Sequence, residues 1–124
     1  MKVLILSALV TLFSVQSFGA VIRSAKLDAS KKNILIDVTY GGGCGKHDFT
    51  LEVHGCAETF PVQCQADLVE KTNDMCEALV GTTVVLSIAE AKVNTRYYEG
   101  GNLTILGDQN WQTKKRSSAT VILP

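Results

Sequence analysis

The sequence predicts an all-β fold, a small single-domain β-sandwich or barrel that is stapled by disulfide bonds. Three observations lead to this prediction. Apolar and polar residues alternate in several short runs, and turn-forming residues separate these runs at intervals of about ten positions. The 124-residue chain also contains four cysteines and only two prolines. Roughly six to eight short strands fit this pattern, which is typical of sandwiches and barrels.

The N-terminal residues have the three-part pattern of a secretory signal peptide. Lys2 precedes an apolar run that ends at Phe13, and Gly19 is a small residue suited to signal-peptidase cleavage. The run is shorter than the roughly 20 residues of a transmembrane helix. This pattern favours a signal peptide over a buried N-terminal helix. We therefore expect removal of residues 1–19, and residues 20–124 should form one exported domain, periplasmic or secreted, without a membrane span.

The N-terminal half of this domain divides into strands at turn-forming residues. A first strand is expected over residues 20–28, and the polar residues 29–33 form the turn after it. In the run ILIDVTY, residues 34–40, large apolar residues occupy every second position and β-branched residues are frequent, as in a half-buried strand. The glycine-rich residues 41–45 are expected to end that strand.

Two further extended runs are expected to form a hairpin. The segment His47–His54 alternates, with Phe49 and Val53 on its core side and His54 solvated on the other. Residues 60–71 form another extended run that can fold back antiparallel to the first.

The C-terminal half continues the β pattern with one exception, a short helix within residues 89–98. Also expected are a turn at residues 71–74, a buried strand at 82–88, a strand at 102–106, a turn at 107–110 and a strand at 119–123. The basic residues 31–32 and 114–116 lie beside turn signals, and we expect them to be solvated.

All four cysteines, at positions 44, 56, 64 and 76, lie in the predicted exported domain, where disulfide bonds form and persist. Four cysteines allow three pairings, which a sequence alone does not distinguish. The expected hairpin would bring Cys56 and Cys64 to its closed end, and Cys44 and Cys76 to its open end. The nested pairing Cys44–Cys76 and Cys56–Cys64 is therefore favoured. Since no close cysteine pair of the zinc-finger kind is present, the sequence predicts no metal site.

The charge balance excludes some classes of partner. The chain has 12 basic and 12 acidic residues, and removal of Lys2 would leave a net charge of 11 − 12 = −1. A nearly neutral domain has no electrostatic attraction for nucleic acid or for an anionic membrane. The oligomeric state stays open, because edge strands of a sandwich can pair.

Three segments resemble a pattern found in small exported bacterial proteins: Gly42–Phe49, Phe60–Val62 and Asp74–Leu79. The pattern is similar to that of the NigD-like family, whose members are envelope proteins with a β-rich C-terminal domain. The resemblance extends from about Tyr40 to Ile88. It implies an envelope location and a bond between Cys44 and Cys76, and it supplies no catalytic residues.

Catalytic and phosphate-binding motifs do not fit this chain. The glycines of residues 41–45 lack the spacing of a P-loop and lead into a strand, so a tight turn or bulge is expected there. A G-x-S-x-G motif is also absent from the sequence. His47 is a candidate general base or metal ligand, although a structural histidine bonded to backbone carbonyls is the simpler interpretation. The sequence therefore predicts a protein that is not an enzyme and that uses no cofactor.

A candidate binding surface combines aromatic and polar residues from several segments: His47, Glu58, Phe60, Tyr97, Tyr98 and Trp111. Aromatic side chains on a β scaffold stack on sugar rings or anchor protein partners, whereas a buried core residue is the simpler interpretation of Trp111. We expect an exported non-catalytic domain of the bacterial envelope or secretome that binds a protein or a glycan. One alternative is a protease or enzyme inhibitor that presents Ala57–Val62 inside the Cys56–Cys64 ring. A less favoured alternative is a hydrolase or metal-binding protein that depends on His47.

Overall fold

Residues 20–42, 48–70, 78–110 and 113–124 are described by a computed structural model of the protein. Within these residues the chain forms seven β-strands and one short 3₁₀ helix. The strands are β1 (Val21–Leu27), β2 (Asn33–Gly42), β3 (Phe49–Ala57), β4 (Gln63–Glu70), β5 (Ala78–Ser87), β6 (Asn102–Gln109) and β7 (Arg116–Ile122), and the 3₁₀ helix is Arg96–Tyr98. No helix in the described part of the chain has the length and apolar character needed to cross a membrane.

The strands form two sheets that pack face to face as a sandwich, which confirms the predicted fold class. One sheet has the order β1-β2-β5 and the other has the order β3-β4-β6-β7. All neighbouring strands are antiparallel except β4 and β6, which are parallel. The parallel pair arises because the chain leaves the second sheet after β4, adds β5 beside β2, and then returns to form β6. The two sheets do not close into a barrel.

The core lies between the sheets and is built from the alternating apolar residues of the strands. The predicted inner face of β2 is confirmed, since Ile34, Ile36 and Val38 are buried and Tyr40 packs against them. The second sheet contributes fully buried side chains from its central strands: Cys64, Ala66 and Leu68 from β4, with Leu103 and Ile105 from β6. Burying such aliphatic side chains supplies the main driving force for folding, about 25 cal/mol for each Å² of apolar surface.

One side of the sandwich is closed by contacts between β1 and the end of the second sheet. The buried hydroxyl of Ser117 accepts a bond from the Ile22 backbone N–H (2.9 Å) and donates to the Asp108 carbonyl (2.7 Å). The Asp108 backbone N–H donates to the Ala20 carbonyl at 2.7 Å. These bonds connect the two sheets. They provide hydrogen-bond partners for backbone N–H and C=O groups that have none within their own sheet.

Several expected strand ends are wrong. β2 runs two residues past Tyr40, because Gly41 and Gly42 still pair with β5, and it ends at Gly42 within the glycine-rich residues. The turn expected at residues 107–110 lies further along, since β6 runs to Gln109 with an irregular register opposite β7. The helix expected within residues 89–98 is reduced to a turn around residues 88–92 and the single 3₁₀ turn.

The strand expected at residues 82–88 also differs from the prediction, both in where it begins and in its place in the sheet. It begins earlier, at Ala78, and it lies at the edge of its sheet rather than in the buried centre. The side chain of Val85 is accordingly 58% exposed. A continuous apolar run does not distinguish a central strand from an edge strand, because both can contain the same β-branched residues.

Some predictions concern residues outside the described part of the chain. These are the signal peptide at residues 1–19, the turn at residues 71–74 and the roles of Cys44, His47, Cys76 and Trp111. Their interpretations stay predictions.

Candidate functional site

A disulfide bond forms the base of the candidate site. Cys56 and Cys64 occupy directly opposed positions of the β3–β4 hairpin, their Cα atoms are 4.0 Å apart, and their Sγ atoms are bonded. This confirms the predicted inner bridge at the closed end of the hairpin.

A β-bulge brings Cys56 into this position. Val53 pairs with Ala66 while Gly55 pairs with Gln65, so His54 is an extra residue in β3. Without the bulge, strict alternation would place Cys56 on the opposite face from Val53. With the bulge, both residues pack against the core, and Cys56 faces the fully buried Cys64.

The loop above the disulfide presents an aromatic side chain to solvent. Phe60 is fully exposed at the tip of the five residues between β3 and β4. The Thr59 hydroxyl donates to the Pro61 carbonyl at 2.8 Å, and Val62 returns the chain to the core as a buried residue. A short loop with an internal bond and a covalent base has little conformational freedom, so the backbone position of Phe60 is restrained.

The segment after β5 supplies the opposite wall of the site. In the 3₁₀ turn, the Tyr98 N–H donates to the Thr95 carbonyl at 3.0 Å, and Tyr98 packs against the core as a half-buried residue. Its ring meets the ring of Tyr97 edge to face, with centroids 4.9 Å apart. Tyr97 remains 51% exposed. Tyr98 is thus less exposed than Tyr97 and packs against its ring.

Two glycines let these walls approach each other. A Cβ at Gly101 would lie 2.9 Å from the Val62 carbonyl oxygen and 3.0 Å from that of Tyr98, so only glycine fits this contact. The neighbouring Gly100 has a φ of 71°, in the left-handed region that favours glycine. Its N–H donates to the Leu123 carbonyl at 3.0 Å, which attaches the second wall to the end of the chain.

The two walls enclose an open groove of about 660 Å³. It is lined by Glu58, Thr59, Phe60, Pro61, Val62, Arg96, Tyr97, Glu99 and Gly100. Three of the residues predicted for the binding surface, Glu58, Phe60 and Tyr97, therefore come together in one place. We define these nine lining residues as the aromatic groove.

Two charged residues of the aromatic groove were not predicted from the sequence. Arg96 and Glu99 flank the tyrosine pair and extend the groove beyond it. Their positions on either side of Tyr97–Tyr98 are the sequence signal that could have found them. The groove thus combines two exposed aromatic rings with one guanidinium and two carboxylates. Such a surface can stack on a flat or apolar group while it bonds to polar groups around it.

A polar cluster lies on the outer face of the second sheet, apart from this groove. His54 was expected to be solvated, and its exposed ring places Nε2 3.4 Å from Asp67 Oδ1. Arg116 was expected in a solvated turn but lies in β7, where its Nη2 donates to the same Asp67 oxygen at 3.0 Å. Its Nε donates to the Gly107 carbonyl at 2.9 Å. The cluster links β3, β4 and β7 across the face of the sheet.

The described residues contain no group of three or more His, Cys, Asp or Glu side chains that could hold a metal ion. Comparisons with known proteins add no relative: no family model, curated protein or solved structure matches the chain significantly. The resemblance to the NigD-like family stays a prediction.

Proposed function

We propose that this protein is an exported, non-catalytic domain that binds a protein or a glycan through the aromatic groove. The convergence of Glu58 and Phe60 with Tyr97 supports this proposal, because these residues come from two segments far apart in the sequence. Exposed aromatic residues on short, braced loops are costly to keep in water and are typical of recognition surfaces.

Export is supported by two independent features. The N-terminal pattern is that of a secretory signal peptide, and Cys56–Cys64 is the kind of bond that persists in oxidising compartments. We propose that the domain acts in the periplasm or outside the cell after the chain is cleaved between Gly19 and Ala20.

The second candidate function is inhibition of a protease or another enzyme by the stapled loop. The exposed Phe60 at the tip of a ring closed by Cys56 and Cys64 favours this candidate. A loop that already has its bound conformation loses little entropy on binding, which increases affinity without any added contact. In this candidate Phe60 would enter an apolar pocket of the enzyme.

The experiment compares binding by wild-type protein with binding by Phe60→Ala and Tyr97→Ala. Ile122→Ala is the matched control, because Ile122 is an exposed apolar strand residue (66%) that does not line the groove. Each purified protein is immobilised, and retention is measured from periplasmic and extracellular fractions and from a glycan array. We expect loss of retention of about tenfold or more for both groove variants and none for the control, as for central aromatic contacts.

The two ligand classes and the second candidate are separated in the same experiment. Protease treatment of the fraction abolishes retention of a protein ligand, and periodate treatment abolishes retention of a glycan. A retained hydrolase that wild-type protein inhibits and Phe60→Ala does not would favour the inhibitor. Equal retention by all variants, or no retention of any ligand, would overturn the proposed groove function.

A further inference from the structure

The strand β5 has a backbone edge that no described strand covers. It ends the sheet order β1-β2-β5 and pairs with β2 alone. The ladder with β2 contains ten consecutive pairs without a register shift, so β5 is long and regular. An edge strand of this kind presents a row of backbone N–H and C=O groups that another strand can bond.

The other sheet edges carry features that prevent such pairing. The edge of β3 contains the bulge at His54 and the charged Glu52. The edges of β1 and β7 meet each other through the Ser117–Ile22 bond, and β7 begins with Arg116. Charges, bulges and covering strands are the usual protection against association of sheet edges.

None of these features is present in β5. Its sequence, ALVGTTVVLS, has no charged residue and no proline, and residues 82–85 are four consecutive β-branched residues. High β-propensity combined with low charge is the composition of segments that pair readily with other strands.

The burial of side chains indicates that the sandwich is open along this edge. Val84 and Leu86 point toward the core but are only partly buried, whereas their β2 partners Ile36 and Ile34 are fully buried. Val85 on the outer face is 58% exposed. A strand added beside β5 would cover Val84 and Leu86 and remove this apolar surface from water.

We propose that β5 pairs antiparallel with β5 of a second copy of this chain. A two-fold axis beside β5 would join the three-stranded sheets into one sheet of six strands, three from each copy. In the pair, each residue of β5 lies opposite a residue of β5 in the second copy. Because the strand is uncharged, this arrangement causes no repulsion between like charges. A peptide of another protein that was recognised through its charges could form no ion pair with this strand, because β5 has no charged side chain. The proposal is independent of ligand binding at the aromatic groove.

The test is sedimentation velocity of the purified protein over a concentration series, with two matched lysine variants. Val84→Lys places a charge on the half-buried inner face of β5, where it can reach solvent in a single copy but becomes enclosed in the pair. Val53→Lys is the control, because Val53 is also a partly buried, inward residue on an edge strand, β3. We expect a concentration-dependent dimer whose dissociation constant increases by about tenfold or more in Val84→Lys and is unchanged in Val53→Lys.

Hydrogen exchange of the wild-type protein gives a second measurement that needs no variant. Within residues 82–87, the alternate amides that point away from β2 should become more protected as the protein concentration increases. A monomer at every concentration, or a dimer equally sensitive to both lysine variants, would overturn the proposal. Protection of β5 that requires another protein would assign the edge to a different partner and also overturn self-pairing.

Discussion

Cys56 faces Cys64 across the β3–β4 hairpin because the bulge at His54 turns Cys56 toward the core. The bond joins residues eight positions apart and closes the loop that carries Phe60. One structural feature, an extra residue in a strand, therefore determines both the bridge and the base of the aromatic groove. The bond constrains the loop in the folded protein and the same residues in the unfolded chain.

The first prediction concerns removal of this bond by the double variant Cys56→Ala/Cys64→Ala. A closed loop of this size stabilises a protein by about 2–3 kcal/mol in the chain-entropy model, so the free energy of unfolding should fall by that amount. Urea denaturation measures it. Cys56→Val/Cys64→Val refills much of the sulfur volume, and a similar loss in both variants would assign the effect to the bond. If the valine variant were as stable as wild type, the prediction would be wrong, and the stability lost in the alanine variant would be due to packing.

The second prediction concerns the carboxylate of Asp28, which organises the β1–β2 turn. Its Oδ2 accepts a bond from Asn33 Nδ2 at 2.9 Å, and its Oδ1 accepts one from the Ser30 hydroxyl at 2.8 Å. These side-chain bonds, that from Asn33 first, lower the pKa of Asp28 from 3.8 to about 2. Lys31 within the turn has a positive φ of 60°, a conformation that this bonding supports.

The sign of the pH dependence follows from this lowered pKa. The ionised carboxylate stabilises the fold above pH 3.8, and that contribution is lost as the pH falls toward about 2. Asp28→Asn should therefore be less stable than wild type at neutral pH, and the difference should shrink across that window. Urea titrations at a series of pH values measure the difference. Glu90→Gln on an exposed loop is the control, and a difference for Asp28→Asn that does not change with pH would contradict the prediction.

The third prediction concerns Arg116, which bonds both the Asp67 carboxylate and the Gly107 carbonyl. Arg116→Ala should lower the free energy of unfolding by about 1 kcal/mol, since partial exposure screens the ion pair while two bonds are lost. Arg116→Lys keeps the charge but cannot reproduce the two-sided contact, and it should recover only part of the loss. Lys115→Ala is the control and should change stability by less than about 0.5 kcal/mol. Equal losses for Arg116→Ala and the control would disprove this role.

The fourth prediction concerns Gly107, where the second sheet approaches β1. A Cβ at this position would lie 2.8 Å from both Ile22 Cγ1 and Ser117 Oγ, and it would also meet the Ala20 carbonyl oxygen. Gly107→Ala should therefore destabilise the protein by about 1–3 kcal/mol, as overpacked substitutions do. Gly41→Ala is the matched strand control, because no atom lies within 4 Å of its Cβ position. Thermal unfolding of the two variants measures the difference. An unchanged melting temperature for Gly107→Ala would contradict the prediction, because the neighbouring atoms would then have moved without any loss of stability.

The alternation of residues was sufficient to predict the inner face of β2. Ile34, Ile36 and Val38 were placed correctly because side-chain direction in a strand alternates locally. The Cys56–Cys64 bond was also predictable, since two antiparallel runs joined by a short loop must bring their adjoining ends together. Both inferences use only contacts between residues close in the sequence.

The site was predictable only in part. Glu58, Phe60 and Tyr97 were recognised one by one from residue type and loop position, but their shared groove depends on Val62 and Gly101 meeting across two separate segments. No local pattern contains that contact. The salt bridge of Arg116 with Asp67 is similar, because the two residues lie 49 positions apart.

By itself the sequence determined the all-β class, the inner face of β2 and the hairpin bridge, because alternation and short loop closure act over a few residues. The tertiary structure alone decided that β4 and β6 are parallel, that β5 is an edge and that Phe60 and Tyr97 line the same groove. Strand neighbours are selected by the burial of whole faces and by backbone bonds between distant segments. Those quantities belong to the assembled sandwich and not to any single run of residues.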